Sequence, residues 1–221
     1  METNIRSVTL NRMASLQGSL FDTASVPQLR PLSDSIRRVT LTEGAWIDLY
    51  PQWVERADLL FDALVDEVSW RSEERVMYDR TVGIPRLMAS FGAGVPAPHP
   101  VLDEARTALA DHYKGSPGAD LATIGLCLYR DGNDSVAWHG DTIGRGGVED
   151  TLVAIVSLGC HRRLALRPRH GGAASVRFDV GGGDLLVMGG TCQRTWEHAV
   201  PKTARPVGPR ISVQLRPPGV S

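Results

Sequence analysis

Of the 23 glycines in this 221-residue chain, five fall before residue 115 and eighteen at or after it. Glycine permits positive φ at tight turns and weakens helices, so the C-terminal half is restricted to short segments joined by turns. Six such segments are β candidates: 122–129, 151–158, 162–167, 174–180, 184–188 and 210–216. RRLALR (162–167) and RISVQLR (210–216) alternate charged or polar with apolar residues, as half-buried strands do. TLVAIVSL (151–158) is apolar almost throughout, the pattern of a strand covered on both faces. Strands at this spacing predict a sandwich or barrel-like β core over 121–217.

The N-terminal half reads differently. Between 53 and 68, Trp53, Ala57, Leu60, Leu64 and Val68 recur at three- and four-residue steps, while Asp58, Asp62, Asp66 and Glu67 take other faces, which predicts an amphipathic helix. A second helix is predicted over 101–114, with Leu102, Ala105, Leu109 and Tyr113 on one face and Gly115 as its stop. Pro85, Pro96, Pro98 and Pro100 mark an extended connection between them. Residues 1–35 carry no sustained periodicity and are read as a mobile arm. The expected organisation is thus an arm (1–35), an α/β cover (36–120) and a β core (121–217).

Net charge is −1, which excludes a polybasic binder though not a local basic patch. No apolar run approaches the roughly 20 residues that span a bilayer, and the N-terminus lacks the apolar stretch of a signal peptide. Cys127, Cys160 and Cys192 form no closed disulfide framework and fit a reducing compartment. A cytoplasmic monomer without membrane contact is expected.

Two patterns point to chemistry. Trp138-His139-Gly140-Asp141 holds an H-x-D tripeptide, and on extended backbone residues i and i+2 project to one side. His198 follows in Trp196-Glu197-His198. Two imidazoles and one carboxylate on one face of a metal leave the opposite positions open, the arrangement of non-haem Fe(II) oxygenases. Alone, H-x-D with a distant histidine is more often a hydrogen-bonded surface turn than a metal site. The second pattern is Arg210-Ile211-Ser212-Val213-Gln214-Leu215-Arg216, whose arginines share a strand face and begin 12 residues after His198. An arginine held there can pair bidentately with a dicarboxylate bound at the metal.

Taken together, LCLYRDGNDSVAWHGD (126–141), IVSLG (155–159), GGDLLVMGG (182–190), WEHAVP (196–201) and RISVQLR (210–216) resemble the AlkB-type Fe(II)/2-oxoglutarate dioxygenases. RVMYDR and PRLMASFG in the N-terminal half resemble that family's nucleotide-recognition region. The resemblance implies a mainly β fold with flanking helices: a double-stranded β-helix (jelly roll) core under an N-terminal α/β substrate-recognition cover. It implies His139, Asp141 and His198 as ligands of Fe(II), and Tyr129 and Arg210 as contacts to 2-oxoglutarate, with Arg216 near the same site and Ser157 in support. Dioxygen is the co-reactant, and the implied activity is oxidative demethylation of alkylated DNA bases of the 1-methyladenine or 3-methylcytosine type, releasing formaldehyde and succinate. The chain departs from the family at Cys127, where asparagine is usual, and at Ile143, where nucleic-acid demethylases usually carry an acid that contacts the base.

His161, Arg162, Arg163, Arg167, Arg169 and His170 fall within ten residues, a basic cluster that reads either as phosphate contacts or as a solvated hairpin. Tyr78, Arg86, Arg162 and Arg163 are the expected substrate contacts, with Tyr78 positioned to meet a flipped base. In the arm, Gln17-Gly18-Ser19-Leu20-Phe21 resembles the peptide by which bacterial repair proteins bind the sliding clamp, with Gln17, Leu20 and Phe21 as its contacts. Methylated RNA, a protein or a small molecule stay open as substrates, and a non-catalytic nucleic-acid-binding protein is the reading of a different class.

Overall fold

The computed structural model describes residues 26–32, 36–77, 80–171 and 175–220. Elements follow in the order β1 (Gln28–Leu29), β2 (Arg37–Thr40), β3 (Ala45–Tyr50), β4 (Val54–Glu55), α1 (Ala57–Glu67), β5 (Arg71–Met77), β6 (Arg80–Phe91) and α2 (Pro100–His112). The C-terminal half continues as β7 (Thr123–Tyr129), β8 (Val136–His139), β9 (Val153–Gly159), β10 (Arg162–Pro168), β11 (Val176–Val180), β12 (Asp184–Gly190), α3 (Cys192–Thr195), β13 (Trp196–Val200) and β14 (Arg210–Arg216).

Two antiparallel sheets make the jelly roll. The larger runs β2-β3-β12-β9-β14-β7-β6-β5 and the smaller β11-β10-β13-β8. Along β14, Ile211, Val213 and Leu215 turn to one face of the larger sheet, where they join Leu60 and Leu64 of α1 and Leu102 and Leu109 of α2 in one apolar core. A second core fills the space between the sheets, with Val153, Ile155, Leu164, Leu166, Leu186, Met188 and Trp196. β9 contributes Ala154, Val156 and Leu158 to the first core and Val153 and Ile155 to the second. That is why 151–158 shows no alternation in sequence: both faces are covered.

The six expected strands and both helices are present, with three differences. The first helix begins at Ala57 instead of 53, because Trp53 and Val54 are held in extended backbone. Trp53 is fully buried with its indole N–H on the Arg30 carbonyl at 2.8 Å, and β4 pairs with β1. Order therefore reaches into the stretch read as a mobile arm: Leu29 and Leu32 pack on the first core, and Arg30 pairs with Glu55. Second, the connection around Pro85 is two strands. β5 and β6 extend the larger sheet, and their register shifts so that Ile84, Pro85 and Arg86 face a single residue. A bulge of that kind tolerates a proline that a regular ladder would not. Third, α2 starts at Pro100 with His99 Nδ1 accepting the Val101 N–H, and Gly115 takes φ +87° beyond its end.

Two polar braces tie parts of this frame together. Asp48 on β3 is 2% exposed and accepts Arg38 through both oxygens at 2.7 Å and the Tyr113 hydroxyl at 2.8 Å, which ties the end of α2 to the larger sheet. In the turn from β7 to β8, Asp134 accepts the Arg130 backbone N–H, Nε and Nη2 at 2.7–2.9 Å. Burial pushes the Asp134 carboxyl up, but the hydrogen bonds and charge of Arg130 and the charge of Arg162 hold it below its ordinary value.

Leu109→Ala on the buried face of α2 is expected to cost about 2–5 kcal/mol in urea unfolding, while Val148→Ala, at a 78% exposed position, costs less than about 0.5 kcal/mol. Asp134→Asn is expected to lower the urea midpoint at pH 7 by the equivalent of about 2 kcal/mol. The folded carboxyl titrates low, so its contribution is complete above the unfolded value of about 3.9 and is lost as pH falls through the folded value. The gap between variant and wild type must therefore narrow below about pH 4; a gap constant from pH 7 to pH 3 would contradict the assignment.

Candidate metal and cosubstrate site

β8 is an edge strand of the smaller sheet and ends at His139, directly opposite His198 on β13. The imidazole centroids lie 4.2 Å apart. Asp141, two residues on, turns back toward them, with Oδ1 3.7 Å from His139 Nε2. One ligand atom from each of His139, Asp141 and His198 lies within 4.8 Å of the others, and among the described residues this is the one group of that kind.

The electrostatics suit a divalent cation. His139 Nδ1 sits 2.8 Å from the Ala137 carbonyl, which has only lone pairs to offer, so Nδ1 carries the proton and Nε2 keeps a free lone pair. Burial first, and then the neighbouring His139, push the His198 imidazole down to about 3 against the pull of Asp141. It is neutral at physiological pH, with a lone pair to offer. Burial drives the Asp141 carboxyl up, but the charge and hydrogen bond of Arg216 and the nearby histidines bring it below its ordinary value. Arg216 Nε donates to Asp141 Oδ2 at 2.8 Å, which leaves Oδ1 facing the imidazoles.

Deeper between the sheets, Arg210 is 1% exposed. Its Nη2 donates to Ser157 Oγ at 2.7 Å, while Nε and Nη1 are buried without a partner. A guanidinium shut away from water with no carboxylate on it is costly unless an anion completes the site. Tyr129 pairs with Arg210 across β7 and β14, and the guanidinium lies 5.4 Å from its ring centroid. Burial and the nearby Cys127 push the Tyr129 phenol up to about 12 against the pull of Arg210, so it stays protonated and able to donate. Cys127 lies opposite Ser212 on the same sheet, its Sγ 3.9 Å from Gln214 Oε1. The donor set therefore fits both groups that the sequence pattern implied: an iron at the cluster and a dicarboxylate reaching from it to Arg210.

The other expected contacts divide. Arg162 is corrected: it is 3% exposed and donates to the carbonyls of Asp131, Asp134 and Pro201 at 2.7–2.9 Å. A side chain so occupied braces the β7–β8 turn and offers nothing to a phosphate. Arg163, next on β10, is exposed and lies on the outer face of the smaller sheet, away from His198. Arg86 donates to the Ser135 carbonyl at 3.2 Å and keeps a buried, unpartnered Nε. Ile143 is 67% exposed on the loop that follows Asp141. Tyr78, Gln17, Leu20 and Phe21 lie outside the described residues. Sequence reasoning missed Gln193, whose Oε1 accepts the Asp141 N–H at 2.9 Å, and it placed Arg216 near the cosubstrate, whereas its Nε is on Asp141.

The family model for the 2OG-Fe(II) oxygenase superfamily matches residues 93–216, more than half of the chain. Human alpha-ketoglutarate-dependent dioxygenase alkB homolog 3 is 31% identical over 192 residues, 76% of this chain and 64% of that protein. DNA oxidative demethylase ALKBH2 of Arabidopsis thaliana is 32% identical over 126 residues, 47% of this chain and 40% of that one. The chain spans about 64–66% of the length of the first of these curated relatives and its bovine counterpart. Among solved structures, a prolyl hydroxylase from Trichoplax adhaerens superposes with a TM-score of 0.58 at 13% identity, over 79% of this chain and 83% of that one, a likeness of fold alone. No helix of the described residues is long and apolar enough to cross a membrane. A jelly roll with a His–Asp–His cluster and a buried arginine with an open edge thus meets the sequence match on the same residues, and the chain belongs to the 2OG-Fe(II) oxygenase superfamily, among its AlkB-type dioxygenases.

Proposed function

We propose that this chain is an Fe(II)- and 2-oxoglutarate-dependent demethylase acting on N-alkylated DNA bases of the 1-methyladenine or 3-methylcytosine type, with formaldehyde and succinate as products. The observation that carries it is the unpaired edge of Arg210, buried in the same interior as the His139–Asp141–His198 cluster. The AlkB homologs it resembles, one named a DNA oxidative demethylase, support the substrate class.

His139 Nε2, Asp141 Oδ1 and His198 hold the iron, and Arg216 orients the aspartate by occupying its other oxygen. Arg210 takes the distal carboxylate of the 2-oxo acid through Nε and Nη1, with the protonated Tyr129 as neighbouring donor. Iron and 2-oxoglutarate, when bound, supply the oxidising chemistry with dioxygen. Leu164, Leu166, Ile155 and Val200 line the interior between the sheets and keep water from the reacting centre. The target base enters flipped from its strand, with Tyr78 at its face. Arg86 and Arg163 are the contacts to the nucleic-acid strand, Arg163 to its phosphates from the outer face of the smaller sheet. The protein works as a monomer, and Gln17, Leu20 and Phe21 tether it to a sliding clamp, a contact that binding measurements on the Leu20→Ala, Phe21→Ala double variant would lose.

Turnover is tested with oligonucleotides carrying 1-methyladenine or 3-methylcytosine, scored for formaldehyde and succinate with iron and 2-oxoglutarate present or omitted. His139→Ala, Asp141→Ala and His198→Ala should each abolish both products while far-UV circular dichroism is retained; near-normal turnover by Asp141→Ala would overturn the assignment. Arg210→Ala should raise the KM for 2-oxoglutarate by about 30-fold or more, the equivalent of the roughly 2–5 kcal/mol for truncating one partner of a buried charge pair, with little change in the KM for DNA. Ile143→Glu should alter the ratio of 1-methyladenine to 3-methylcytosine repair; an unchanged ratio would place base choice elsewhere.

A further inference from the structure

β8 ends at His139, so Asp141 lies beyond the ladder that holds the two histidines face to face. Its backbone N–H has no strand partner, yet the residue is 2% exposed. A buried N–H must find an acceptor, and here a side chain supplies it. Gln193, 1% exposed on α3, accepts that N–H through Oε1 at 2.9 Å. Its own Nε2 faces only Met188 Sδ at 3.7 Å. The turn also presses directly on the segment between the two ligands: a Cβ added to Gly140 would lie 2.5 Å from the Gln193 carbonyl oxygen, so only glycine allows that approach. The next residue, Arg194, pairs with Asp150 at the far end of the loop that Asp141 begins.

α3 thus grips the Asp141 loop at both ends, and it leads straight into β13, which carries His198. We infer that Gln193 is a positioning residue for the metal centre: by holding the Asp141 N–H it fixes the aspartate relative to His139 and His198. Arg216 sets the direction of the carboxylate, and Gln193 sets the backbone from which it springs. Neighbours that orient a metal ligand typically change affinity by about 10–100-fold when removed. The inference rests on reading His139, Asp141 and His198 as the iron site.

The test uses the full chain and Mn(II) as the probe, with free Mn(II) followed by electron paramagnetic resonance and the melting temperature of the metal-free protein followed in parallel. Gln193→Met keeps the size but loses the acceptor, and should weaken Mn(II) binding about 10-fold or more with a melting temperature close to wild type. Gln193→Glu keeps an acceptor oxygen and should bind within about threefold of wild type. If Gln193→Met does not fold, Gln193→Asn, whose amide stops one methylene short, gives the same comparison. Wild-type affinity in the variant lacking the acceptor overturns the inference, and so does an equal loss in that variant and Gln193→Glu, which would mark a packing role. Asp141→Ala separates the two claims: if it too binds Mn(II) like wild type, the metal site itself is misassigned, whereas its loss beside an unaffected Gln193→Met sinks the role of Gln193 alone.

Discussion

The strand Arg210–Arg216 has two incompatible faces, and much of the architecture serves to keep them apart. Ile211, Val213 and Leu215 need cover from water, and α1 and α2 provide it. Arg210, Ser212, Gln214 and Arg216 turn inward between the sheets, where each polar group needs a partner. Ser212 and Gln214 satisfy one another locally, with Gln214 Nε2 on the Ser212 hydroxyl at 2.7 Å. Arg216 finds Asp141 across the interior. Arg210 donates to Ser157 and lies against Tyr129, and its Nε and Nη1 are left without a hydrogen-bond partner. The strand is central in the larger sheet, flanked by β9 and β7, so its polar face cannot escape to solvent. The same period of two that builds the core also turns the open edge of Arg210 inward.

The metal cluster depends on that ladder. Asp141 carries its charge at low exposure because Arg216, from the opposite sheet, lies against one of its oxygens. Breaking such a pair by removing one member typically costs about 3–5 kcal/mol, so the two sheets are coupled through the very residue proposed to bind iron. His139 and His198 face each other across an antiparallel pair, so the strand register alone brings the two imidazoles together. Arg162 has the converse role. Buried among three carbonyls, it fixes the turn that delivers β8, and its charge lies beside Tyr129.

Much of this was legible in the residues. Alternation in β10 and β14, continuous apolarity in β9, and glycines between them disclosed the core because strand periodicity is local. The H-x-D tripeptide and the two arginines of β14 disclosed the chemistry because their spacing fixes a common face. Other features were hidden for physical reasons. β3 reads poorly because Asp48 interrupts an apolar stretch, and only Arg38 and Tyr113, both distant in sequence, make its burial tolerable. β6 hides behind Pro85, whose bulge depends on its partner strand. Arg162 shares a strand face with Leu164 and Leu166 and Arg163 with Arg167, so the period of two already marked the inward arginine; what no local pattern disclosed is the three carbonyls that satisfy it. Gln193 belongs to no motif, and its importance comes only from a contact 52 residues away in sequence.

We propose that one interior holds an iron on His139, Asp141 and His198 and a dicarboxylate on Arg210. Crystals grown without oxygen in the presence of Mn(II) and 2-oxoglutarate, measured at the manganese absorption edge, test both halves at once. The expected result is an anomalous peak bonded to His139 Nε2, an Asp141 carboxylate oxygen and His198, with the distal carboxylate of the 2-oxo acid on the Arg210 guanidinium. A metal bound elsewhere, or a well-ordered 2-oxoglutarate that leaves Arg210 bare, would contradict it.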